Sequence, residues 1–424
     1  MIFIYDSLNE VLSVLLNVNR SDIERIESSD GKMFITLKKK ELYCPSCAKK
    51  LILNGYFDRV VKVPNKAFEG LEVHLKARRY RCYRCSKTIS DINHMSPANV
   101  KISYATIFQI MDLLKSPKMT FLEVSKITGI PPTSVIRVFD SHCHIPRKEL
   151  PPVLCIDEVY TKNSDYKSKY SCILYDFEKH SLIDVLPSRK KNYLHYYMKY
   201  ISQEERDNVK YVCIDMFETY KLISRFYFKK AIICVDSFHV VQHLNDDLNR
   251  LRIRYMKYYD PSSNEYYLLK KFRFLLLDRT IKWDGPKKYN KKLEMYVNYG
   301  DLLELIFSIN DEIRLAYELK EEYIVFNSSF NVEEARDNIE TIIDDFIRAN
   351  IYEYTEFTIL LKNWKEEIIN SFNTWDGKRI NNGIAESINQ NIAAILYNTK
   401  GIHNNTRRRK RIMYSINKDG FNLY

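Results

Sequence analysis

The sequence predicts an α/β protein with a large helical insertion, preceded by two small modules. Three observations predict this. The runs VLCIDEVY, KYSCILYDFE and HSLIDVLPSR read as consecutive strands, and alternating helix and strand patterns follow them through AIICVD. From about residue 250 to 375 the pattern is mostly helical, with neither glycine nor proline between Gly300 and Gly377. Ahead of both lie two CxxC pairs and a helix-turn-helix pattern, set off by Pro146, Pro151 and Pro152.

Bulk composition narrows the function classes. A chain of 424 residues exceeds one ordinary domain, and 45% hydrophobic content excludes a disordered polymer. The net charge of +12 favours a polyanionic partner, most often nucleic acid. The opening MIFIYDSLNEV lacks the basic start and small-residue cleavage site of a signal peptide. No apolar run reaches membrane-span length, so a cytoplasmic protein without a membrane partner is expected.

Residues 1–40 read as a helix, with Ser7 and Glu10 as a capping box, and then a strand, MFITLKKK. Residues 41–98 hold Cys44, Cys47, Cys82 and Cys85. In a reducing compartment, paired CxxC units read as a structural Zn²⁺ site, because each gives two thiolates from one tight knuckle. Ala48 and Ser86 stand where such knuckles often have glycine. Cys143, Cys155, Cys172, Cys213 and Cys234 are isolated, and most read as small core residues. Lys76, Arg78, Arg79, Arg81 and Arg84, with Tyr80 and Tyr83, form a patch suited to phosphate, although a solvated face is the commoner meaning of such a run.

Residues 99–150 carry TFLEVSKITGIPPTSVIRVFDSH. Thr120 caps a first helix with Leu122, Val124 and Ile127. Gly129 makes the turn, and Pro131-Pro132-Thr133 opens a second helix with Val135, Ile136 and Phe139 inward. Ser134 and Arg137 are then presented to a DNA groove. Residues 151–250 form the first part of the α/β domain, 251–372 an all-α insertion, and 373–424 the second part with a basic tail.

In a sheet that begins as a meander and becomes parallel, the first strand and the strand after the first helix are neighbours. Their ends bring Asp157 and Asp215 together. Two adjacent carboxylates repel unless a cation lies between them, and oxygen ligands on rigid strands suit Mg²⁺ or Mn²⁺. A third acid is wanted from a helix beside the sheet. In NNGIAESINQNIAAILYN, Ile384, Ile388, Ile392 and Ile395 make one stripe, and Glu386, Asn389, Gln390 and Ala393 another. Spacing alone leaves Glu386 either a ligand or a solvated surface group.

The order CxxC…CxxC, helix-turn-helix, IDE, IDM…Y, VDSFHVVQHLN, LAYELKEEY and NNGIAESIN resembles the ISL-three family of bacterial insertion-sequence transposases. The resemblance runs from about residue 41 onward. It implies a ribonuclease H-like catalytic domain interrupted by a helical insertion, and a DDE triad of Asp157, Asp215 and Glu386 that binds Mg²⁺ or Mn²⁺. It implies a D-x-x-H element, Asp236 and His239, beside that triad. Cleavage at terminal inverted repeats and strand transfer into target DNA follow, by metal-assisted phosphoryl transfer without a covalent enzyme intermediate. Ser387 departs from the family pattern, where glycine commonly follows the glutamate.

Asp236 and His239 also fit a plain helix cap at the end of AIICVD. The run Thr406 to Arg411, with Arg407, Arg408 and Arg409, reads either as a grip on DNA backbone or as a solvated helix face. Synapsis of two ends calls for a homodimer or a larger assembly on DNA. The competing class is a domesticated, non-catalytic DNA-binding regulator with the same fold. A ribonuclease acting on RNA is disfavoured by the two modules built for duplex recognition.

Overall fold

The computed structural model describes residues 18–63, 71–90, 95–97, 100–163, 166–278, 281–329, 331–398 and 404–421. The helix expected around Ser7 and Glu10 lies outside them. The chain divides into two compact units, Met1–Pro146 with Asn391–Tyr424, and Arg147–Gln390.

The first unit starts with strands β1 (Ile23–Ser29) and β2 (Lys32–Leu37), joined by a tight turn. Asp30 and Gly31 both adopt positive φ there, as a two-residue hairpin turn of this hand requires. Strands β3 (Ile52–Val63) and β4 (Leu71–Arg81) pair antiparallel, and β2 lies parallel to β4 on its other side. Strand β5 (Thr88–Ser90) pairs with the end of β4. The segment before residue 41 therefore completes the cysteine-bearing sheet, whose core holds Ile35, Val61, Val73 and Leu75.

Helices α1 (Tyr104–Leu113), α2 (Phe121–Thr128) and α3 (Pro132–His142) follow. Thr120 and Glu123 close a capping box at the start of α2, and Gly129 ends it at φ 65°. This cap sets the helix phase. Phe121, Val124 and Thr128 face inward, while Leu122 and Ile127 point to solvent. In α3 the buried residues are Val135, Val138 and Phe139; Ile136 is only half-buried. Arg137 is exposed and Ser134 half-buried.

In the second unit, strands β6 (Val153–Asn163), β7 (Ser168–Asp176) and β8 (Ser181–Leu186) form an antiparallel meander. Then come α4 (Lys191–Lys199), α5 (Gln203–Asp207), β9 (Tyr211–Ile214), α6 (Glu218–Tyr227), β10 (Ile232–Val235) and α7 (Ser237–Met256). The sheet order is β10-β9-β6-β7-β8, with β6, β9 and β10 mutually parallel. Ile156 pairs with Ile214, and Ile214 with Val235. The next residue in each case is an aspartate, so Asp157, within β6, lies level with Asp215 and Asp236, which follow β9 and β10.

The segment expected to be all-α has one exception. After α8 (Asn264–Lys271) and α9 (Phe274–Leu277), strands β11 (Lys288–Asn290) and β12 (Met295–Val297) form a hairpin. Helices α10 (Tyr299–Phe307), α11 (Asp311–Ser329), α12 (Val332–Ala349), α13 (Thr355–Asn363) and α14 (Lys365–Asn370) complete the insertion. The periodic run from Leu302 to Ala316 is two helices, broken around Asn310, whose side chain accepts the Glu312 N–H. Asn370 donates to the Ile233 carbonyl at 3.0 Å, which covers the β10 edge. A short hairpin, β13 (Thr374–Trp375) and β14 (Lys378–Arg379), leads into α15 (Gly383–Asn398).

The last helix, α16 (Asn405–Asn417), belongs to the first unit. Its Arg411 is fully buried and donates to the carbonyls of Leu114, Ser116 and Met119 at 2.6–2.9 Å, closing the end of α1. Burial draws that guanidinium down to about 10. Tyr414 donates to the Met111 carbonyl, and Arg407 grips both oxygens of Asp140. Gly420 must stay glycine: a Cβ there would meet Ile145 Cδ1 at 2.3 Å and the His144 carbonyl at 2.8 Å. Part of the basic tail is thus structural.

Removing Arg411 takes a donor from three carbonyls; those of Leu114 and Ser116 keep Ser415 Oγ and the Met119 N–H, and that of Met119 loses its charged partner. Arg411→Met is expected to destabilise the first unit by about 3 kcal/mol or more, read as an earlier unfolding transition in urea followed by circular dichroism.

Candidate active site and metal centre

The four cysteines of the first module converge. Their sulfurs all lie within 4.8 Å of one another. Cys47 and Cys82 are 3.5 Å apart and Cys44 and Cys85 3.9 Å. A tetrahedral zinc with bonds of about 2.3 Å requires sulfur–sulfur edges of about 3.8 Å. A disulfide requires about 2.05 Å, and all nine cysteines are free thiols.

The two knuckles share one backbone plan. Cys44 N–H donates to the Lys49 carbonyl and Cys82 N–H to that of Lys87. Amide groups aimed at sulfur, chiefly from Ser46, lower the Cys44 thiol; those led by Cys85 lower Cys82 to about 7. Cys85 is pushed to about 12, first by the Cys47 sulfur and then by burial. Four thiolates so close cannot coexist without a cation among them, and the set fits Zn²⁺. Ala48 and Ser86 hold φ of 55° and 57°, the left-handed conformation that glycine adopts freely.

The basic patch beside this centre is divided. Lys76, Arg79, Arg81 and Arg84 are exposed, with Lys76 over the Tyr56 ring and Arg79 over Phe57. Arg78 is buried, donates to the Leu37 carbonyl at 2.5 Å and pairs with Glu24. Its charge holds β4 to the β1–β2 hairpin.

The second centre is acidic. Asp157 is buried, and burial raises its carboxyl above the usual range. The Glu158 N–H donates to its Oδ1 at 2.7 Å and Asn389 Nδ2 to its Oδ2 at 2.9 Å. Asp215 is raised to about 7 by burial, then by the charges of Glu158 and Asp157. The Phe217 N–H is its compensating donor. Asp236 is raised by burial as well, and accepts the Phe238 N–H as the cap of α7. His239 lies one turn on, with Nε2 at 3.8 Å from Asp236 Oδ2. Its imidazole lowers Asp157, Glu158, Asp215 and Asp236 alike, which makes it the neighbour common to all four acids.

Asn381, Asn382 and Gly383 dock the Glu386 helix. Asn381 Oδ1 accepts the Gly383 N–H at 2.8 Å; Asn382 Nδ2 donates to the Ile156 carbonyl, and its backbone N–H is among the groups that lower Asp236. Glu386 follows in the first turn of α15 and is exposed. Asn389, one turn further, meets Asp157. Ile388, Ile392 and Ile395 are buried as the stripe predicts, with Ala385 beside them; the Ile384 side chain lies outside the described residues. Among the described residues, only the cysteines bring three or more ligating atoms within 4.8 Å of one another. A neutral amide approaches a buried carboxylate where a third carboxylate, without a cation, is repelled.

Four contributors escaped the sequence reading. Glu158 faces Asp215 and pairs with Arg189, whose guanidinium lies between the rings of Tyr170 and Phe217 at 4.3 and 4.4 Å. Asn382 and Asn389 are the others. Glu158 adjoins Asp157 and Asn389 shares the Glu386 face, so the signal for these two was present. Nothing in the sequence singled out Arg189.

A clustered set of buried carboxylates with an imidazole beside it suits a divalent cation and phosphate chemistry. A family model described as Transposase, of the ISL-three group, matches residues 154–412. No curated protein matches the chain. No helix among the described residues is long and apolar enough to cross a membrane.

Replacing Ala48 or Ser86 by glycine relieves left-handed strain. Each variant is expected to gain about 1 kcal/mol at unchanged zinc content, measured by denaturation and metal analysis. The Asp215 carboxyl gives a pH test. Its folded value of about 7 exceeds the ordinary 3.8, so between these values the folded chain holds the proton that the unfolded chain has lost. Stability therefore falls as pH rises from about 4 to 7, by on the order of 2–4 kcal/mol. In EDTA, Asp215→Asn should be more stable than the parent at pH 8, with the advantage vanishing near pH 4.

Proposed function

The chain belongs to the ISL-three family of transposases, and on that premise we propose that it binds insertion-sequence ends and performs metal-dependent DNA cleavage and strand transfer. The observation that carries this reading is the row of Asp157, Asp215 and Asp236 at one level of three adjacent parallel strands, Asp157 within β6 and the other two just past β9 and β10. The sheet order, with its antiparallel meander and two further parallel strands, supports a ribonuclease H-like domain.

Asp157, Asp215 and Glu386 would hold Mg²⁺ or Mn²⁺. Buried carboxylates raised by burial and by one another fit a cation at that place. When bound, the ion supplies Lewis acidity to the scissile phosphate and charge neutralisation to the acids. Glu386 lies outside the hydrogen-bonded cluster, and its exposed first-turn position leaves it free to swing in as cation and DNA arrive. Asn389 orients Asp157 until then.

His239 offsets the acids' charge and is the side chain suited to hold or pass a proton beside the strand ends. Asp236 fixes the start of α7 and, through Asn382, the start of α15. That makes it a positioning residue. Arg189, close to the Tyr170 and Phe217 rings and paired with Glu158, would hold that carboxylate in place beside Asp157. Four thiolates holding Zn²⁺ would lock the ribbon, with Lys76, Arg79, Arg81 and Arg84 on DNA phosphates. Arg137 and Ser134 would meet the groove, and two copies would synapse two ends.

The test is cleavage of end-containing duplex DNA with Mg²⁺ against the same reaction in EDTA. Asp215→Ala is expected to abolish the Mg²⁺-dependent product, whereas Asp236→Ala leaves measurable cleavage. Equal, complete loss in two folded variants contradicts the division of labour, and no Mg²⁺-dependent cleavage by the parent contradicts catalysis.

A further inference from the structure

The insertion carries a second site that shares no residue with the acidic row. A cavity of about 720 Å³ opens between the end of α8, the β11–β12 hairpin and the start of α10. Its lining holds five lysines and no carboxylate. Two of the five are engaged: Lys292 donates to the Ser262 carbonyl at 2.6 Å, and Lys271 to the Tyr267 hydroxyl at 3.1 Å. Lys282, Lys288 and Lys291 are exposed and make no ion pair with any described residue.

Aromatic rings stand among these cations. Tyr289 is 53% exposed and packs at 5.2 Å against Tyr296, itself 68% exposed. Tyr299, at the start of α10, is 44% exposed. Exposed tyrosines give a flat apolar face with a polar edge, the surface on which a nucleobase stacks. The cavity falls within the size range of small-ligand pockets, which admits one nucleotide and excludes a duplex. Three unpaired ammonium groups match several phosphates along a strand better than the one phosphate of a mononucleotide.

We propose that this cavity receives an unpaired nucleotide of DNA, its base against Tyr289 or Tyr299 and its flanking phosphates on Lys282, Lys288 and Lys291. The inference rests on the reading that this protein acts on DNA. It assigns the insertion a part in holding a strand that has left the double helix.

The experiment uses the full, zinc-loaded chain with no Mg²⁺ or Mn²⁺ added, so that the ribbon keeps its metal and no cleavage occurs. One duplex carries 2-aminopurine in an unpaired extension, a second is the same length fully paired, and a third arm is free dAMP. The parent should bind the extension about tenfold tighter than the paired duplex, with 2-aminopurine fluorescence quenched on binding. Tyr289→Ala should erase that preference and the quenching, whereas Tyr289→Phe keeps both. Lys288→Ala/Lys291→Ala should flatten the salt dependence of extension binding. Extension binding unaltered in the tyrosine and lysine variants overturns the proposal, as does dAMP binding as tightly as the extension. Cleavage of end DNA without extension preference sinks this inference alone; absence of any DNA binding sinks the underlying reading with it.

Discussion

The structure around the acidic site follows from one constraint, the parallel register that carries Asp157, Asp215 and Asp236 to the same level of the sheet. Strands are placed by their apolar residues, and the strand-end residue goes where the register puts it. Here that position gathers like charges in a poorly hydrated place. Neighbouring groups soften the repulsion: backbone N–H groups at Glu158, Phe217 and Phe238, the Asn389 amide, and the His239 ring. None of them neutralises it. Burial therefore leaves the carboxyls of Asp157, Asp215 and Asp236 raised.

The alternating strands and helices were legible because each buried strand is short, β-branched and bounded by turn residues. Neighbouring β6 and β9 followed from chain order. The hairpin at Lys288–Val297 was not legible, since its strands are short, tyrosine-rich and half-polar, and resemble the helical surroundings. Ile136, expected inward, is only half-buried, because the second helix turns Val135, Val138 and Phe139 to the core and hydrophobicity alone does not report helix phase.

Charge was harder to read than apolar pattern. Arg78, Arg407 and Arg411 look like their exposed neighbours in sequence, yet each is tied to a carbonyl or a carboxylate. A guanidinium has five donors and a long apolar stem, so it serves a buried junction as readily as a phosphate. Only tertiary context separates the two uses. The same applies to Arg189, whose partner Glu158 and flanking rings, Tyr170 and Phe217, come from two strands and a loop.

The closure of α16 onto the helix-turn-helix has a temporal side. The first unit takes its core from both ends of the chain, with Tyr414 packed among residues from Ile107 to Phe139. During synthesis, Arg411 emerges well after the helices it closes, a delay of roughly ten to fifty seconds at bacterial elongation rates. In that interval the helix-turn-helix lacks the carbonyl donors and core contacts that Arg411 and Tyr414 bring. A helix-turn-helix whose α16 has not yet been made lacks that closure.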